Sequence, residues 1–299
     1  TSAFVEKTLR SFGDIEIQHP AQTSVLAIIH GAQEGKTILL RADMDALPMQ
    51  EESGLSFSSD VNNVAHTCGH DTHTAMLLAT AKVLYELKDS LHGSVKLIFQ
   101  HAEELNPGGS QAIVDSGLID DVDAVVGLHI IPNLPCGSIH VHPSGPATTA
   151  ADGFFLHIQG KGSHGSMPQN GIDPIIIGTQ IITQLQTIVS RMVTPGELAV
   201  LTVGEFKAGE APNIIPDKAY MSASIRTIHE DTRQSIASRV KAVIQHTCAA
   251  YGASYDLDYQ FSYAAVLNDA KVSQLVMDSA AQVLGKEMVY EAPLTSASE

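Results

Sequence analysis

The clearest indication of the fold is the segment SVKLIFQHAEE at residues 94–104. In it, an apolar run of strand length passes directly into two adjacent carboxylates, Glu103 and Glu104. Two comparable runs are KTILLR at 36–41 and VDAVVG at 122–127, and such runs are typical of strands buried in a parallel sheet. Because ligands of an open α/β sheet bind beyond the carboxyl ends of its strands, we expect a functional site where these runs end.

A helix is predicted between the first two strands, over residues 71–88, with Asp71 as its N-terminal cap. From about residue 150 the order becomes β-α-β-β-α-β, which is typical of a ferredoxin-like unit. The segments are a strand at 154–159, a helix at 173–192, strands at 198–206 and 219–226, a helix at 230–251 and a strand at 254–261. The fold class is therefore α/β, with one domain at 1–149 and 266–299 and a second domain inserted at 150–265. A helix at 269–284 is predicted to return to the first domain.

Composition excludes several classes of protein. The 299 residues carry 17 Lys and Arg against 33 Asp and Glu, a formal net charge of −16, which disfavours binding to nucleic acid phosphates or anionic lipid. No apolar run reaches the roughly 18 residues that a membrane span needs, so we expect a soluble protein with no membrane partner. Three cysteines, Cys68, Cys136 and Cys248, form no CxxC pair, and an odd count suits a reducing compartment. We therefore expect a cytoplasmic protein.

Metal-binding chemistry is indicated by three segments. Cys68 and His70 are two residues apart in HTCGHDTH, and a thiolate with an imidazole suits a metal such as zinc. The repulsion between adjacent carboxylates is relieved when one binds a cation and the other shares a proton, so one of Glu103 and Glu104 would be a metal ligand and the other a general base. His129 follows the third apolar run. Taken singly, each has an ordinary alternative as a buried or solvent-exposed residue, but together they predict a metal site.

Other catalytic motifs are missing or lack their context. The chain has no GxSxG, GxxxxGK[ST] or HExxH motif, so serine hydrolases, P-loop proteins and zincins are disfavoured. GKGSHG at 160–165 satisfies GxGxxG, but Pro168 and Gly171 prevent the helix that a dinucleotide site requires.

A family resemblance joins these segments. The chain resembles the metal-dependent aminoacylase and hippurate hydrolase branch of the M20 peptidases over essentially its whole length. The motifs that carry the resemblance are RADMDALPM (41–49), CGHDTHTAML (68–77), AEE (102–104), GLH (127–129), GKGSHGSMP (160–168), NIIPD (213–217) and SIRT (224–227).

The resemblance implies a zinc-peptidase-like α/β catalytic domain with a two-metal site and an inserted dimerisation domain. By position in the motifs, the implied metal ligands are Cys68, His70, Glu104 and His129. Glu103 matches the general base, which would take a proton from a water acidified by the two ions and deliver it to the leaving amine. Asp45 matches a carboxylate that orients a ligand histidine, and Asp43 is similar. The ions are expected to be zinc, with manganese or cobalt as alternatives.

Three residues outside the metal site match substrate-handling positions. In the family, the histidine matching His164 reaches the site of a partner subunit and stabilises the oxyanion, so a homodimer is expected. Asn213 and Arg226 match residues that hold the substrate carboxylate. Without the resemblance, His164 would be an exposed loop residue, Asn213 a turn residue and Arg226 a partner of an acid on its sheet.

The chain departs from the family at its end. The family carries a last metal-binding histidine beyond an SEDF-like motif, whereas this chain stops at Ser298-Glu299, so we expect it to be truncated at both ends. The predicted function is hydrolysis of N-acyl amino acids, of the hippurate or N-acetyl type, to a carboxylic acid and a free amino acid. The alternatives are a carboxypeptidase, an N-acetyl-diaminopimelate deacetylase, and a non-catalytic remnant that binds metal or a carboxylate.

Overall fold

The computed structural model describes residues 1–295, and the chain divides into two compact units, Thr1–Ser138 and Ile139–Glu299. The predicted metal ligands all belong to the first unit. The predicted domains, 1–149 with 266–299 and 150–265, stay a prediction. Ser298-Glu299, where the chain stops within the SEDF-like motif, lies outside the described residues. No helix in the described part of the chain is long and apolar enough to cross a membrane.

The first unit is a five-stranded sheet with helices. Its elements are α1 (Ser2–Phe12), β1 (Glu16–Gln18), β2 (Val25–His30), β3 (Gln33–Asp43), α2 (His70–Glu86), β4 (His92–Gln100), α3 (Ser110–Asp115) and β5 (Ala124–Gly127). The strand order is β1-β2-β4-β3-β5. β3 runs parallel to β4 and β5, but β2 is antiparallel to β4, and β1 is antiparallel to β2. The three strands predicted to form a parallel sheet are therefore confirmed, and β1 and β2, which the sequence analysis did not predict, extend the sheet in antiparallel fashion.

The parallel strands bring the site residues to one edge of the sheet. Asp43, the last residue of β3, pairs with Gln100, the last residue of β4. On the other side of β3, Arg41 pairs with Gly127, the last residue of β5. Since parallel strands point the same way, the segments that leave these three ends start from a common edge. The apolar cores on the two faces of the sheet include Phe99 and Ile98.

Helix α2 begins one residue earlier than predicted, and its cap is Gly69 instead of Asp71. Gly69 has φ 89°, in the left-handed region, which glycine adopts at little cost. A Cβ at position 69 would lie 2.4 Å from Ile130 Cδ1. Glycine thus lets the chain turn at once from Cys68 into His70, while Asp71 Oδ1 accepts a hydrogen bond from the Thr72 N–H at 2.8 Å.

The second unit contains the predicted β-α-β-β-α-β segment. Its elements are β6 (Ile139–Val141), β7 (Gly145–Pro146), β8 (Ala150–Gln159), β9 (Ser163–His164), α4 (Pro174–Met192), β10 (Ala199–Ala208), β11 (Ile214–Ile215), β12 (Lys218–Thr227), α5 (Glu230–Tyr251), β13 (Ser254–Tyr263), β14 (Leu267–Asn268), α6 (Ala270–Leu284) and β15 (Val289–Glu291). The sheet order is β10-β12-β8-β13, with every neighbouring pair antiparallel. The ferredoxin-like arrangement is confirmed, and the predicted helix at 269–284 corresponds to α6.

The core of the second unit is apolar. Side chains from β8, β12, α4 and α5 form one cluster that includes Leu156, Ile181, Met221 and Val240, each fully buried. Burying a side chain of this size stabilises a fold by about 1.5–3 kcal/mol. Asp173 caps α4 by accepting the Ile175 N–H at 2.9 Å.

Candidate metal centre

Two of the predicted ligands lie next to different elements of the fold and meet at the edge of the sheet. Cys68 precedes α2 and His129 follows β5, and Cys68 Sγ lies 3.4 Å from His129 Nε2. With His70 they form a group whose candidate ligand atoms all lie within 4.8 Å of one another. A thiolate and two imidazoles suit a divalent metal of intermediate softness.

A second group brings His70 together with the paired carboxylates. His70 Nε2 lies 3.9 Å from Glu103 Oε2 and 3.8 Å from Glu104 Oε1. These candidate ligand atoms also lie within 4.8 Å of one another. Glu103 is only 7% exposed, so these acids are not the ordinary solvent-exposed loop residues that the sequence left open. The chain thus concentrates negative charge around one imidazole nitrogen.

Asp45 holds His70 from the opposite side of its ring. His70 Nδ1 lies 3.0 Å from the Asp45 carbonyl oxygen, and because a carbonyl oxygen only accepts, Nδ1 is the donor. Asp45 Oδ1 is 3.3 Å from the same nitrogen, and Asp45 Oδ2 accepts the Glu104 N–H at 3.0 Å. Burial raises the pKa of Asp45, but hydrogen bonds from His70 and from the backbone of Glu104 and Glu103 outweigh it and lower the pKa from 3.8 to about 2. Asp45 therefore stays ionised and turns His70 Nε2 towards the acids.

One buried atom of this cluster, His70 Nε2, lacks a hydrogen-bond partner among the described residues. It lies 3.7 Å from Asp43 Oδ2, which is itself paired with Arg41. A buried polar atom without a hydrogen bond is costly, and an imidazole lone pair facing carboxylates is stabilised by a cation. Burial lowers the pKa of His70, but Asp45, Asp43 and Glu103 outweigh it and raise the pKa, as expected for a position that attracts positive charge. The residues therefore fit a divalent metal.

Asp43 and His73 are also part of the cluster, which the sequence reasoning only half recognised. Asp43 is fully buried, with Oδ2 3.0 Å from Arg41 Nη1 and Oδ1 2.7 Å from His73 Nδ1. Burial raises the pKa of Asp43, but the His73 hydrogen bond and the charges of Arg41 and His70 outweigh it and lower the pKa. The sequence predicts that His73 is a helix-face residue near the site, and the structure shows it buried at the site with 2% exposure. The available signal was its spacing of three from His70, which places both rings on one side of α2.

The predicted substrate-handling residues belong to the second unit. His164 on β9 pairs with Ile214 on β11, and the Asn213 carbonyl accepts the Gly165 N–H at 2.8 Å, so His164 and Asn213 share one short ribbon. Both are exposed, and His164 Nδ1 lies 2.8 Å from Ser166 Oγ. Arg226 lies on the four-stranded sheet instead, where Nη1 donates to Ser224 Oγ and to the Ile225 carbonyl. The roles of all three stay predictions.

The family model of peptidase family M20/M25/M40 matches residues 39–299. The chain belongs to this family. An N-acyl-L-amino acid amidohydrolase of Geobacillus stearothermophilus is 45% identical over 268 residues, covering 90% of this chain and 72% of the relative. An N-acetyl-L-cysteine deacetylase of Bacillus subtilis is 40% identical over 300 residues, covering 100% of this chain and 71% of the relative.

A solved structure of an M20 family member resembles the chain throughout. It is a dinuclear metal-binding peptidase from Bacillus subtilis, 32% identical, with a TM-score of 0.80 and coverage of 100% of this chain and 76% of that one. Together with the two groups of candidate ligands, this likeness supports divalent metal as the cofactor of the M20 member described here. The resemblance read from the sequence motifs is confirmed, as is the α/β fold class.

Proposed function

We propose that the chain is a metal-dependent amidohydrolase that cleaves N-acyl amino acids to a carboxylic acid and a free amino acid. The observation that carries this proposal is the convergence of Cys68, His129, Glu103 and Glu104 around His70 in a family whose similar members include an N-acyl-L-amino acid amidohydrolase. Both candidate ligand groups include His70, whose Nε2 would bind one ion, and the other members of the two groups would hold a second ion. The thiol of Cys68 favours zinc, and the carboxylate and imidazole ligands would also suit manganese or cobalt.

The metals, when bound, supply a water of lowered pKa and a Lewis acid for the substrate carbonyl. The remaining work falls to the side chains. Glu103 accepts the proton of the attacking water and passes it to the leaving nitrogen, which suits a carboxylate close to His70 and largely shielded from solvent. Asp45 keeps the His70 ring in one orientation. Cys68, His70, Glu104 and His129 hold the ions.

The second unit would supply substrate recognition and the dimer. Arg226 and Asn213 would bind the substrate carboxylate, and His164 would stabilise the developing oxyanion in the site of a partner subunit. β10 is an outermost strand of its sheet, and its Val200 is 46% exposed, which leaves room for a second copy. Light scattering should give twice the mass of 31.8 kDa; a monomer at micromolar concentration would exclude the dimer.

We place the protein in the cytoplasm. No disulfide joins any of the three cysteines in the described part of the chain, and the Cys68 thiol is needed in its reduced form for the proposed site. A reducing compartment provides that condition.

Amino acid release from a panel of N-acyl amino acids and dipeptides tests the function. The wild type should release amino acid and lose activity on addition of a chelator. Glu103→Gln should lower kcat by about 10²- to 10⁴-fold without changing the bound metal. Glu86→Gln makes the same chemical change at the exposed end of α2 and should behave as wild type.

The possible outcomes separate the candidates. Preference for dipeptides would favour a carboxypeptidase, and preference for N-acetyl-diaminopimelate the corresponding deacetylase. Binding of metal without turnover of any substrate would favour a non-catalytic remnant. Full activity of Glu103→Gln would overturn the proposed mechanism.

A further inference from the structure

His73 has both of its ring nitrogens engaged within the first unit. Nδ1 lies 2.7 Å from Asp43 Oδ1, and Nε2 accepts the Ile130 N–H at 3.0 Å. A ring nitrogen that accepts an N–H carries a lone pair, so the proton of neutral His73 is on Nδ1 and is donated to Asp43. Although Asp43, His70 and His73 are close enough to form a candidate metal group, His73 therefore has no ring nitrogen left for a cation. Its part in the cluster must be a different one.

The hydrogen bond at Nε2 acts on the backbone next to a proposed ligand. Ile130 directly follows His129, and His129 Nδ1 lies 2.7 Å from the Ile130 carbonyl oxygen. The His73 ring also packs edge-on against the His129 ring, with centroids 4.6 Å apart and an interplanar angle of 71°. His73 thus contacts His129 through its backbone and through its ring. With the ring held this way, His129 Nε2 faces Cys68 Sγ.

His73 is held on its other side by Asp43, which is fixed to the sheet. Asp43 is fully buried in the β3–β4 ladder, its carbonyl accepts the Thr74 hydroxyl at 3.0 Å, and its carboxylate lies next to Arg41. By contrast, the chain from Leu128 to Ser138 contains no helix or strand, so no ladder fixes His129. The path from Asp43 through His73 to Ile130 connects the rigid sheet to this loop.

We propose that His73 is a positioning residue: its imidazole holds the Ile130 peptide and so presents His129, together with Cys68, to the metal. The inference rests on the proposed function in one respect, namely that His129 is a metal ligand. Loss of a residue that orients a ligand typically costs 10- to 100-fold in metal affinity. His73 affects the metal through His129 and does not bind it.

Three variants test this inference by zinc affinity, measured in competition with a chromophoric chelator. His73→Leu should weaken zinc binding 10- to 100-fold, because Asp43 Oδ1 and the Ile130 N–H both lose their partner. His73→Gln keeps one amide group near these atoms and should recover part of the affinity. The matched control is Thr74→Val, the next residue of α2, which is also buried and also loses a hydrogen bond to Asp43 but touches neither His129 nor Ile130; it should bind zinc within twofold of wild type.

Nuclear magnetic resonance of the wild-type protein tests the hydrogen bonds of His73 directly, and this test does not depend on whether a variant folds. The ring nitrogen spectra should show the His73 proton on Nδ1, and the Ile130 amide should be protected from hydrogen exchange. In folded His73→Leu, the Ile130 amide should exchange faster, whereas Thr74→Val should leave it unchanged. A proton on Nε2 of wild-type His73, or unprotected exchange at Ile130, would overturn the inference.

The outcomes also separate this inference from the proposed function. Wild-type zinc affinity in folded His73→Leu would overturn the positioning role, whatever the enzyme turns over. Zinc binding that depends on His73, in a protein that releases no amino acid, would overturn the proposed function and support the positioning role.

Discussion

The two units differ in how their buried charged side chains are neutralised. The second unit packs fully buried aliphatic residues such as Leu156 between its sheet and helices, and its buried Asp152 is paired with Arg233 at 2.7 Å. The first unit also has apolar cores, but at the carboxyl edge of its sheet it buries Asp43, His70, His73 and Glu103. Apolar burial stabilises a fold without help, whereas clustered carboxylates repel one another until a cation neutralises them. The comparison indicates that the second unit neutralises its buried charge within the chain, whereas the acids buried in the first unit gain from a bound cation.

The largest expected effect is on the packing side of this comparison. Leu156→Ala should lower the free energy of unfolding by about 3–4 kcal/mol, because it leaves a cavity in a tightly packed apolar cluster. Phe155→Ala, the neighbouring position on the exposed face of β8, should cost less than half of that. Hydrogen exchange of the amides within 139–295 at increasing urea concentration measures the loss of stability in both variants. Equal losses would show that the second unit does not depend on its apolar cluster.

Metal removal should destabilise the first unit. At a zinc concentration 100 times the Kd, binding stabilises the folded chain by about 2.7 kcal/mol. This stabilisation by zinc should vanish on addition of a chelator and should be largely lost in His129→Ala. His157→Ala makes the same change at an exposed position of β8 in the second unit and should keep the gain. Hydrogen exchange of amides within 1–138, with and without zinc, measures the effect; a gain that survives in His129→Ala would contradict the proposed ligand.

Acid should destabilise the metal-free first unit through Asp45. A carboxyl with a lowered pKa in the folded chain stabilises it above the ordinary pKa of 3.8, and this contribution is lost as the pH falls towards about 2. Between pH 6 and pH 3 the loss should be about 1 kcal/mol. Urea denaturation in the presence of a chelator should show a smaller pH dependence for Asp45→Asn than for wild type, whereas Asp60→Asn, at an exposed position, should match wild type. Equal pH dependence in Asp45→Asn would contradict the hydrogen bonding described for Asp45.

The smallest expected effect concerns the backbone just before Glu103. Ala102 has φ 49°, a left-handed conformation that costs a residue with a Cβ about 1–2 kcal/mol. Ala102→Gly relieves this strain but adds freedom to the unfolded chain, so we expect a net gain of about 0.5 kcal/mol. Ala42→Gly, on the extended strand β3, should instead lose about 1 kcal/mol. Thermal unfolding of both variants measures the difference, and a loss in both would show that Ala102 is not strained.

The sequence predicted the second unit more accurately than the first, for a physical reason. The helix predicted at 230–251 is the helix observed, Glu230–Tyr251, and α4 begins after the Asp173 cap. Here amphipathic periodicity and capping are local properties, so the neighbouring residues determine the structure. In the first unit the start of α2 departs from the predicted Asp71 cap: the helix follows Gly69, which has a left-handed φ of 89° and lies close to Ile130, a residue distant in sequence.

The same limit applies to the candidate site. Residue type and spacing predicted that Cys68, His70, Glu103, Glu104 and His129 belong together, and the structure places their candidate ligand atoms in two overlapping groups. The sequence did not reveal that His73 contacts Asp43 and Ile130, because that link joins three segments whose approach depends on the sheet. The sequence analysis also did not predict β1 and β2, which join the sheet through antiparallel pairing of β2 with β4 and of β1 with β2.

The register of the parallel strands has a consequence for length variation in the chain. β4 leads directly to Glu103 and Glu104 while its ladder partner β3 ends at Asp43. Deleting one residue within β4 would draw both acids back by roughly 3.3 Å and reverse which face each side chain occupies. Among related chains, insertions and deletions should therefore be rare in β3, β4 and β5. They should be more frequent in the turns at the opposite edge, such as 87–91, where a change in length does not move a ligand.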